Sequence, residues 1–232
     1  MTGAVALNEK GPLAIMGGAF DPVHFGHLRS AVELQDCLQF GELRFIPSAN
    51  PPHRPAHIAD AATRLRMLEA ALADMPGCSI DRRELDREGP SWSIVTLEEL
   101  RSEIGDRSLC MILGMDAFLG LPGWHRWEEL FQLAHIVVAY RPGSEAPASG
   151  ELAEILDKRG TSNPADLQTK AAGKLMLQEV TQLEISSTAI RDCLHAGRSA
   201  RHLLPDAVLE IIQDSACYTK GFSLTKERGL HA

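Results

Sequence analysis

The chain has 232 residues, of which 44% are hydrophobic and 23% are charged. This length and hydrophobic content are enough for one sizeable core, and we expect a single unit spanning residues 1–232. Its net charge of -8 disfavours a duplex nucleic-acid binder, although a local basic cluster can still hold a small anion. No apolar run is long enough to span a membrane, and the five cysteines form no C-x-x-C pair. We therefore expect a cytoplasmic protein that binds neither nucleic acid nor a membrane.

Short apolar runs alternate with helical patterns along the chain. Predicted strands cover residues 13–16, 43–46, 78–80, 109–113, 136–140 and 174–177. Helical stripes with apolar residues three or four apart cover residues 28–38, 65–75 and 94–104. This alternation predicts an α/β fold with a parallel sheet, helices on both faces, and ligands beyond the carboxyl ends of the strands. A small helical C-terminal part is predicted from about residue 186, and residues 220–232 resemble a frayed tail.

A loop with phosphate-binding chemistry follows the first predicted strand. Gly17 and Gly18 let backbone amides approach a phosphate, and the next helix, predicted to begin near His27, adds a positive dipole end. His24 and His27 can both point into one pocket. Either histidine alone is more simply a surface residue, but strand, double glycine, Asp-Pro, His-x-Gly-His and helix together favour an anion site. The loop has neither the G-K-[ST] of a P-loop nor the G-x-G-x-x-G fingerprint, and no third metal ligand has a supporting spacing.

A second anion site is predicted where a helix begins at Ser186, Ser187 and Thr188. Ser187 is a good N-cap, and Arg191 lies one turn further along on the same face. Two hydroxyls, free amides and a guanidinium at one helix N-terminus suit a phosphate. Taken alone, the segment is more simply an ordinary capped helix with a solvated arginine. Its assignment therefore depends on the first loop.

Together the runs GGAFDPVHFGH and ISSTAIR resemble the two signatures of the HxGH nucleotidyltransferase superfamily. The resemblance implies a Rossmann-like doubly wound parallel sheet. It also implies that the catalytic residues His24, His27 and Arg191 steady the phosphates of ATP during in-line attack. The implied ATP-binding residues are Gly17, Gly18, Ala19, Phe20, His24, His27, Gly114, Asp116, Ser186, Ser187, Thr188 and Arg191.

Further segments narrow the resemblance to the bacterial nicotinate-mononucleotide adenylyltransferases, over about residues 13–218. They are PPHR, GPSWS, LGMD and IVVAYRPG, each at or after a predicted strand. The implied reaction is nicotinate mononucleotide plus ATP giving deamido-NAD and pyrophosphate. The implied contacts to the mononucleotide are Phe20, Arg54, Trp92, Ser93, Asp116, Trp124 and Arg141.

The implied roles of these contacts differ. Trp124 matches the family's stacking tryptophan, and an indole face suits a flat, electron-poor ring. Trp92 and Ser93 match a loop whose backbone amides hold the nicotinate carboxylate. From the residues alone, Asp116 can equally cap the helix that follows it. Arg54 and Arg141 can likewise be surface arginines.

No protein metal site is predicted, and Mg²⁺ is expected to arrive with ATP. The sequence is compatible with a homo-oligomer. Three alternatives stay open: a sister enzyme with another acceptor, such as phosphopantetheine or nicotinamide mononucleotide, a nucleotide-binding protein without catalysis, and a Rossmann oxidoreductase. The last is disfavoured because its glycine fingerprint is missing.

Overall fold

The structure is a computed structural model that describes residues 11–49, 58–143, 146–181 and 183–218. All six predicted strands are present, with ends that differ from the expectation by at most two residues. They are β1 (Leu13–Gly18), β2 (Glu42–Pro47), β3 (Cys78–Ile80), β4 (Leu109–Gly114), β5 (His135–Tyr140) and β6 (Leu175–Glu179). The predicted tail lies outside the described residues.

The helices fill the connections between the strands. They are α1 (Phe25–Leu38), α2 (Ala61–Leu72), α3 (Arg83–Asp86), α4 (Ser93–Ile104), α5 (Met115–Leu119), α6 (Leu130–Leu133), α7 (Glu151–Arg159), α8 (Asp166–Thr169), α9 (Ser187–His195) and α10 (Asp206–Ser215). Short 3₁₀ turns cover Leu121–Gly123 and Trp127–Glu129. Within the described ranges, no helix is long and apolar enough to cross a membrane.

The strands form one parallel sheet in the order β3-β2-β1-β4-β5-β6. The order reverses between β1 and β4, so the connections leaving these two neighbouring strands run in opposite directions across the sheet. A crevice opens at such a point outside the carboxyl ends of the strands, where doubly wound folds bind their ligands. The Rossmann-like fold class predicted above is confirmed.

Each face of the sheet has its own apolar core. In β1, Ala14 and Met16 pack with α1, α2 and α10 on one face. Leu13 and Ile15 pack with α4, α5 and α6 on the other face. Because successive side chains of a strand point to opposite faces, a strand buried on both sides is apolar throughout. For this reason the strands could be predicted from the sequence as short apolar runs.

Helix α1 begins two residues earlier than predicted. It starts at Phe25, and His24 is its N-cap in an extended conformation. The backbone N–H of Phe25 donates to the carbonyl of Leu203, 3.1 Å away, so the C-terminal part of the chain contacts the helix start. The helix ends at Gln39, which adopts a left-handed conformation with φ 51°. Of the two predicted histidines, His24 therefore caps the helix and His27 lies in its first turn.

Candidate active site

The loop between β1 and α1 is tightly packed. Phe20 adopts a positive φ of 47° and buries its ring beneath the loop, in contact with Gly18. A Cβ at Gly26 would lie 3.0 Å from the His24 ring and 3.3 Å from the carbonyl oxygen of Ile185. Glycine at position 26 therefore lets the loop approach the segment that precedes α9.

His24 and His27 face each other at the start of α1. Their rings are stacked with centroids 3.8 Å apart, and Phe20 meets His27 edge-on at 5.2 Å. The His24 backbone N–H donates to Nδ1 of His27, 3.3 Å away, which leaves the proton of a neutral His27 on Nε2. Burial lowers the pKa of His24 to about 4, so this imidazole is neutral at physiological pH. Its Nδ1 is buried and has no hydrogen-bond partner among the described residues.

The start of α9 is hydrogen-bonded to the same loop. Ser187 Oγ donates to the carbonyl of Pro22 at 2.9 Å, and Arg191 Nη1 donates to the carbonyl of Asp21 at 2.7 Å. The second nitrogen of Arg191, Nη2, donates to the Thr188 hydroxyl at 3.2 Å. The two predicted phosphate elements, far apart in sequence, are therefore adjacent in the fold.

The N-cap prediction for α9 was off by one residue. The cap is Ser186, whose side chain accepts a hydrogen bond from the Ala189 N–H at 3.1 Å. Ser187 is instead the first helical residue, and its hydroxyl bonds the β1–α1 loop. Adjacent serines are chemically equivalent caps, and tertiary contact with the loop selects between them.

A cavity of about 370 Å³ opens beside the loop between β1 and α1, at the point where the strand order reverses. Gly17, Gly18 and Ala19 line it from β1 and the loop that follows. Of the residues predicted to contact the mononucleotide, the lining includes Trp92, Ser93, Asp116 and Trp124.

Asp116 is an exposed residue of this lining and does not cap the helix that follows β4. It is the second residue of α5, and the N-cap is Gly114. Phe20 lies beneath the loop, where it supports His27. Arg141 is exposed, lies outside the cavity lining and pairs with Glu184 at 3.1 Å. Arg54 lies outside the described residues.

The cavity also contains residues that the sequence patterns did not single out. Glu84, from α3, is buried, and its carboxylate accepts a hydrogen bond from the Thr96 hydroxyl at 2.7 Å. Burial raises the pKa of Glu84. His125 lies in the lining with its ring 4.7 Å from that of Trp92. A histidine directly after Trp124, and an acid shortly after β3, were the available signals.

The part of the chain that the structure describes has no group of three His, Cys, Asp or Glu side chains that could hold a metal ion. The two predicted phosphate elements carry the imidazoles of His24 and His27 and the guanidinium of Arg191. These groups donate to phosphate oxygens, and a guanidinium does not bind a cation. The donor set fits a divalent ion carried by the nucleotide, because Mg²⁺ commonly keeps several waters and binds substrate phosphates.

The fold and the paired phosphate elements define a nucleotidyltransferase. Residues 15–193 match the family model described as Cytidylyltransferase-like. The chain is 52% identical over 209 residues to a Methylococcus capsulatus protein named "Probable nicotinate-nucleotide adenylyltransferase", covering 90% of this chain and 100% of that protein. A Halorhodospira halophila protein of the same name is 46% identical, over 89% of this chain and 94% of that protein.

The chain belongs to the nicotinate-nucleotide adenylyltransferase family. A solved structure with the same fold is that of Plasmodium falciparum nicotinic acid mononucleotide adenylyltransferase complexed with NaAD. It superposes with a TM-score of 0.68 at 14% identity, over 90% of this chain and 97% of that chain.

Proposed function

We propose that this enzyme transfers the adenylyl group of ATP to nicotinate mononucleotide and releases deamido-NAD and pyrophosphate. The observation that supports it best is the contact between α9 and the loop from β1 to α1, which we call the histidine loop. This contact lies beside a cavity lined by Trp92 and Trp124. A triphosphate site and a site for a flat aromatic acceptor thus share one crevice. All five cysteines are free thiols, which agrees with the proposed location in the reducing cytoplasm.

In the proposed reaction, an oxygen of the 5′-phosphate of nicotinate mononucleotide forms a bond to the α-phosphorus of ATP. The bond from that phosphorus to the oxygen bridging the β-phosphate breaks, and its electron pair leaves with pyrophosphate. Direct transfer requires no protein nucleophile, so the protein contributes positioning and charge stabilisation. Mg²⁺ on the triphosphate would supply charge neutralisation.

The site residues then take distinct roles. His27 donates a hydrogen bond from its Nε2–H to a phosphoryl oxygen, and the neutral His24 provides a second ring beside it. Arg191 and the hydroxyl of Thr188 hold the departing pyrophosphate, together with the amides at the start of α9. Gly17 and Gly18 leave room for the nucleotide phosphates to approach the backbone.

The acceptor occupies the cavity beyond the loop. Trp124 stacks on the nicotinate ring, and the segment of Trp92 and Ser93, where α4 begins, receives its carboxylate. The Trp92 N–H already donates to the Pro90 carbonyl at 3.0 Å, so the proposed donor is the Ser93 N–H. The Thr96 hydroxyl donates a hydrogen bond to Glu84, so this carboxylate already has a partner within the protein. Asp116 faces the ribose of the nucleotide. Arg141 and Arg54 remain proposed contacts to substrate phosphate.

The decisive experiment measures pyrophosphate release by the purified protein with ATP and Mg²⁺, comparing nicotinate and nicotinamide mononucleotide. We expect strong release with the acid and weak release with the amide. Release with the amide alone would keep the phosphate chemistry and refute the acceptor assignment. No release with either would refute the proposed reaction.

A further inference from the structure

Three buried polar side chains lie behind the histidine loop and take no part in the proposed chemistry. Asp21 is 4% exposed, Arg64 1% and Tyr218 5%. They come from the loop itself, from α2 and from the segment after α10. Burying polar groups is costly unless they are bonded, so their partners show what they hold in place.

Asp21 is bonded through both carboxylate oxygens. The Tyr218 hydroxyl donates to Oδ1 at 2.5 Å, and the Ala59 N–H donates to the same oxygen at 3.1 Å. The Ile58 N–H donates to Oδ2 at 2.8 Å. Burial, and then the hydrogen bond to Asp21, raise the pKa of Tyr218, so the phenol stays protonated and remains a donor.

Arg64 holds the loop at another point. Its Nη1 donates to the carbonyl of Ala19 at 2.7 Å. The neighbouring α2 residues Met67 and Leu68 are completely buried in the core, so the guanidinium projects from a fixed helix. Charge-assisted hydrogen bonds of this kind are the stronger ones in proteins.

Four side chains, besides the Ile58 and Ala59 N–H groups, therefore fix the short stretch from Ala19 to Pro22. Arg64 bonds the Ala19 carbonyl, Tyr218 the Asp21 carboxylate, Arg191 the Asp21 carbonyl and Ser187 the Pro22 carbonyl. Two of them belong to the proposed phosphate site, whereas Arg64 and Tyr218 lie behind it. Only Val23, fully buried, separates this stretch from His24.

We propose that Arg64 and Tyr218 are positioning residues for adenylyl transfer, which act through Ala19 and Asp21 to hold His24 and His27 in register with the phosphates. Reaction rates are sensitive to such placement, since an error of about 1 Å at a reacting group can cost about 10²-fold. Binding of the mononucleotide depends less on it, because Trp92, Asp116 and Trp124 line the cavity from other elements, although Ala19 also lines it. The inference rests on the proposed function for its assay.

The first test compares Tyr218→Phe with Tyr140→Phe, a matched control because the chain has only these two tyrosines. Tyr140 is half-buried at the end of β5. For Y218F we expect kcat to fall about tenfold, while KM for nicotinate mononucleotide changes less than twofold, well below the melting temperature of the variant. Y140F should keep the wild-type kcat. An unchanged kcat in folded Y218F would overturn the inference, as would a loss matched entirely by the unfolded fraction in circular dichroism.

A second pair of variants, at Arg64, tests the inference even if Y218F does not fold. Arg64→Lys keeps a cation that can reach Ala19, whereas Arg64→Met removes it at similar volume. We expect kcat to decrease in the order wild type, R64K, R64M with a constant KM for nicotinate mononucleotide. Equal kcat in R64K and R64M, or a change confined to KM, would contradict a positioning role. Inactivity of the wild-type enzyme in the same assay would instead refute the proposed reaction.

Discussion

The imidazole rings of His24 and His27 lie in a stack, with centroids 3.8 Å apart and planes inclined by 29°. Two imidazolium cations at this separation would repel each other strongly, and burial keeps His24 neutral with a pKa of about 4. Burial therefore keeps one ring of the pair uncharged, and Arg191 brings a guanidinium to the same loop. This division of roles leads to distinct predictions for each residue.

Loss of either imidazole should abolish most of the turnover. His24→Asn and His27→Asn each remove a ring positioned for the phosphates, and one preorganised donor is typically worth about 10²–10³-fold in kcat. Pyrophosphate release under saturating substrates measures the effect. His195→Asn, at an exposed position in the last turn of α9, is the control and should keep wild-type turnover. Near-normal turnover in H24N or H27N would show that the assigned role is wrong.

The depressed pKa of His24 should make stability depend on pH. An unfolded histidine binds a proton below about pH 6.5, whereas folded His24 does so only near pH 4. The free energy of unfolding should therefore fall as pH drops from about 6.5 to about 4, by about 3 kcal/mol for this residue.

Urea unfolding of wild type and H24N at pH 7 and pH 4 isolates this contribution, because the variant lacks the titrating group. The difference between the two proteins should change by about 3 kcal/mol across the interval. A constant difference would mean that His24 is protonated as readily in the folded chain as in the unfolded one.

Arg191→Lys should weaken the ATP site specifically. Lysine keeps the charge but cannot donate to the Asp21 carbonyl and the Thr188 hydroxyl with one planar fork. We expect kcat/KM for ATP to fall about 10- to 100-fold, with KM for the mononucleotide nearly unchanged. Steady-state kinetics with each substrate varied in turn measures the split. Arg198→Lys, at an exposed position just beyond α9, is the matched control; equal losses in the two variants would refute the assignment.

Trp124 should report acceptor binding by fluorescence. The chain has three tryptophans, and stacking against an electron-poor ring should quench the indole that contacts it. Titration with nicotinate mononucleotide should quench wild type, with most of the quenching lost in Trp124→Phe. Trp127→Phe should retain the quenching, since Trp127 packs against the core and lies outside the cavity lining. Full quenching in W124F would place the ring elsewhere.

The sheet was predictable because its strands are buried on both faces. Leu109–Gly114 and His135–Tyr140 are nearly continuous apolar runs, and parallel pairing followed from the alternation with helices. Helices of four or five residues, such as Arg83–Asp86, were not predicted because so short a segment shows no periodicity. Helix α7 was also missed, since Leu152 is its only buried residue and gives no apolar stripe.

The candidate site was predictable where a local motif carries the chemistry. The histidine loop and the start of α9 are such motifs, and the resemblance assigned both of them to the phosphates of ATP. Three polar residues were not predicted: Glu84, Arg64 and Tyr218. Their burial depends on partners that are distant in the sequence and become adjacent only in the folded chain. The choice of Ser186 over Ser187 as N-cap has the same origin.

The bonds from Ser187 and Arg191 end on main-chain carbonyls of the loop, which every amino acid possesses. The acceptor cavity is formed largely by other segments, around Trp92 and Trp124. The molecule is therefore modular: phosphate transfer and acceptor choice can evolve separately. Substitutions around the indoles can retune the enzyme towards another mononucleotide while the machinery inherited at β1 and α9 stays intact.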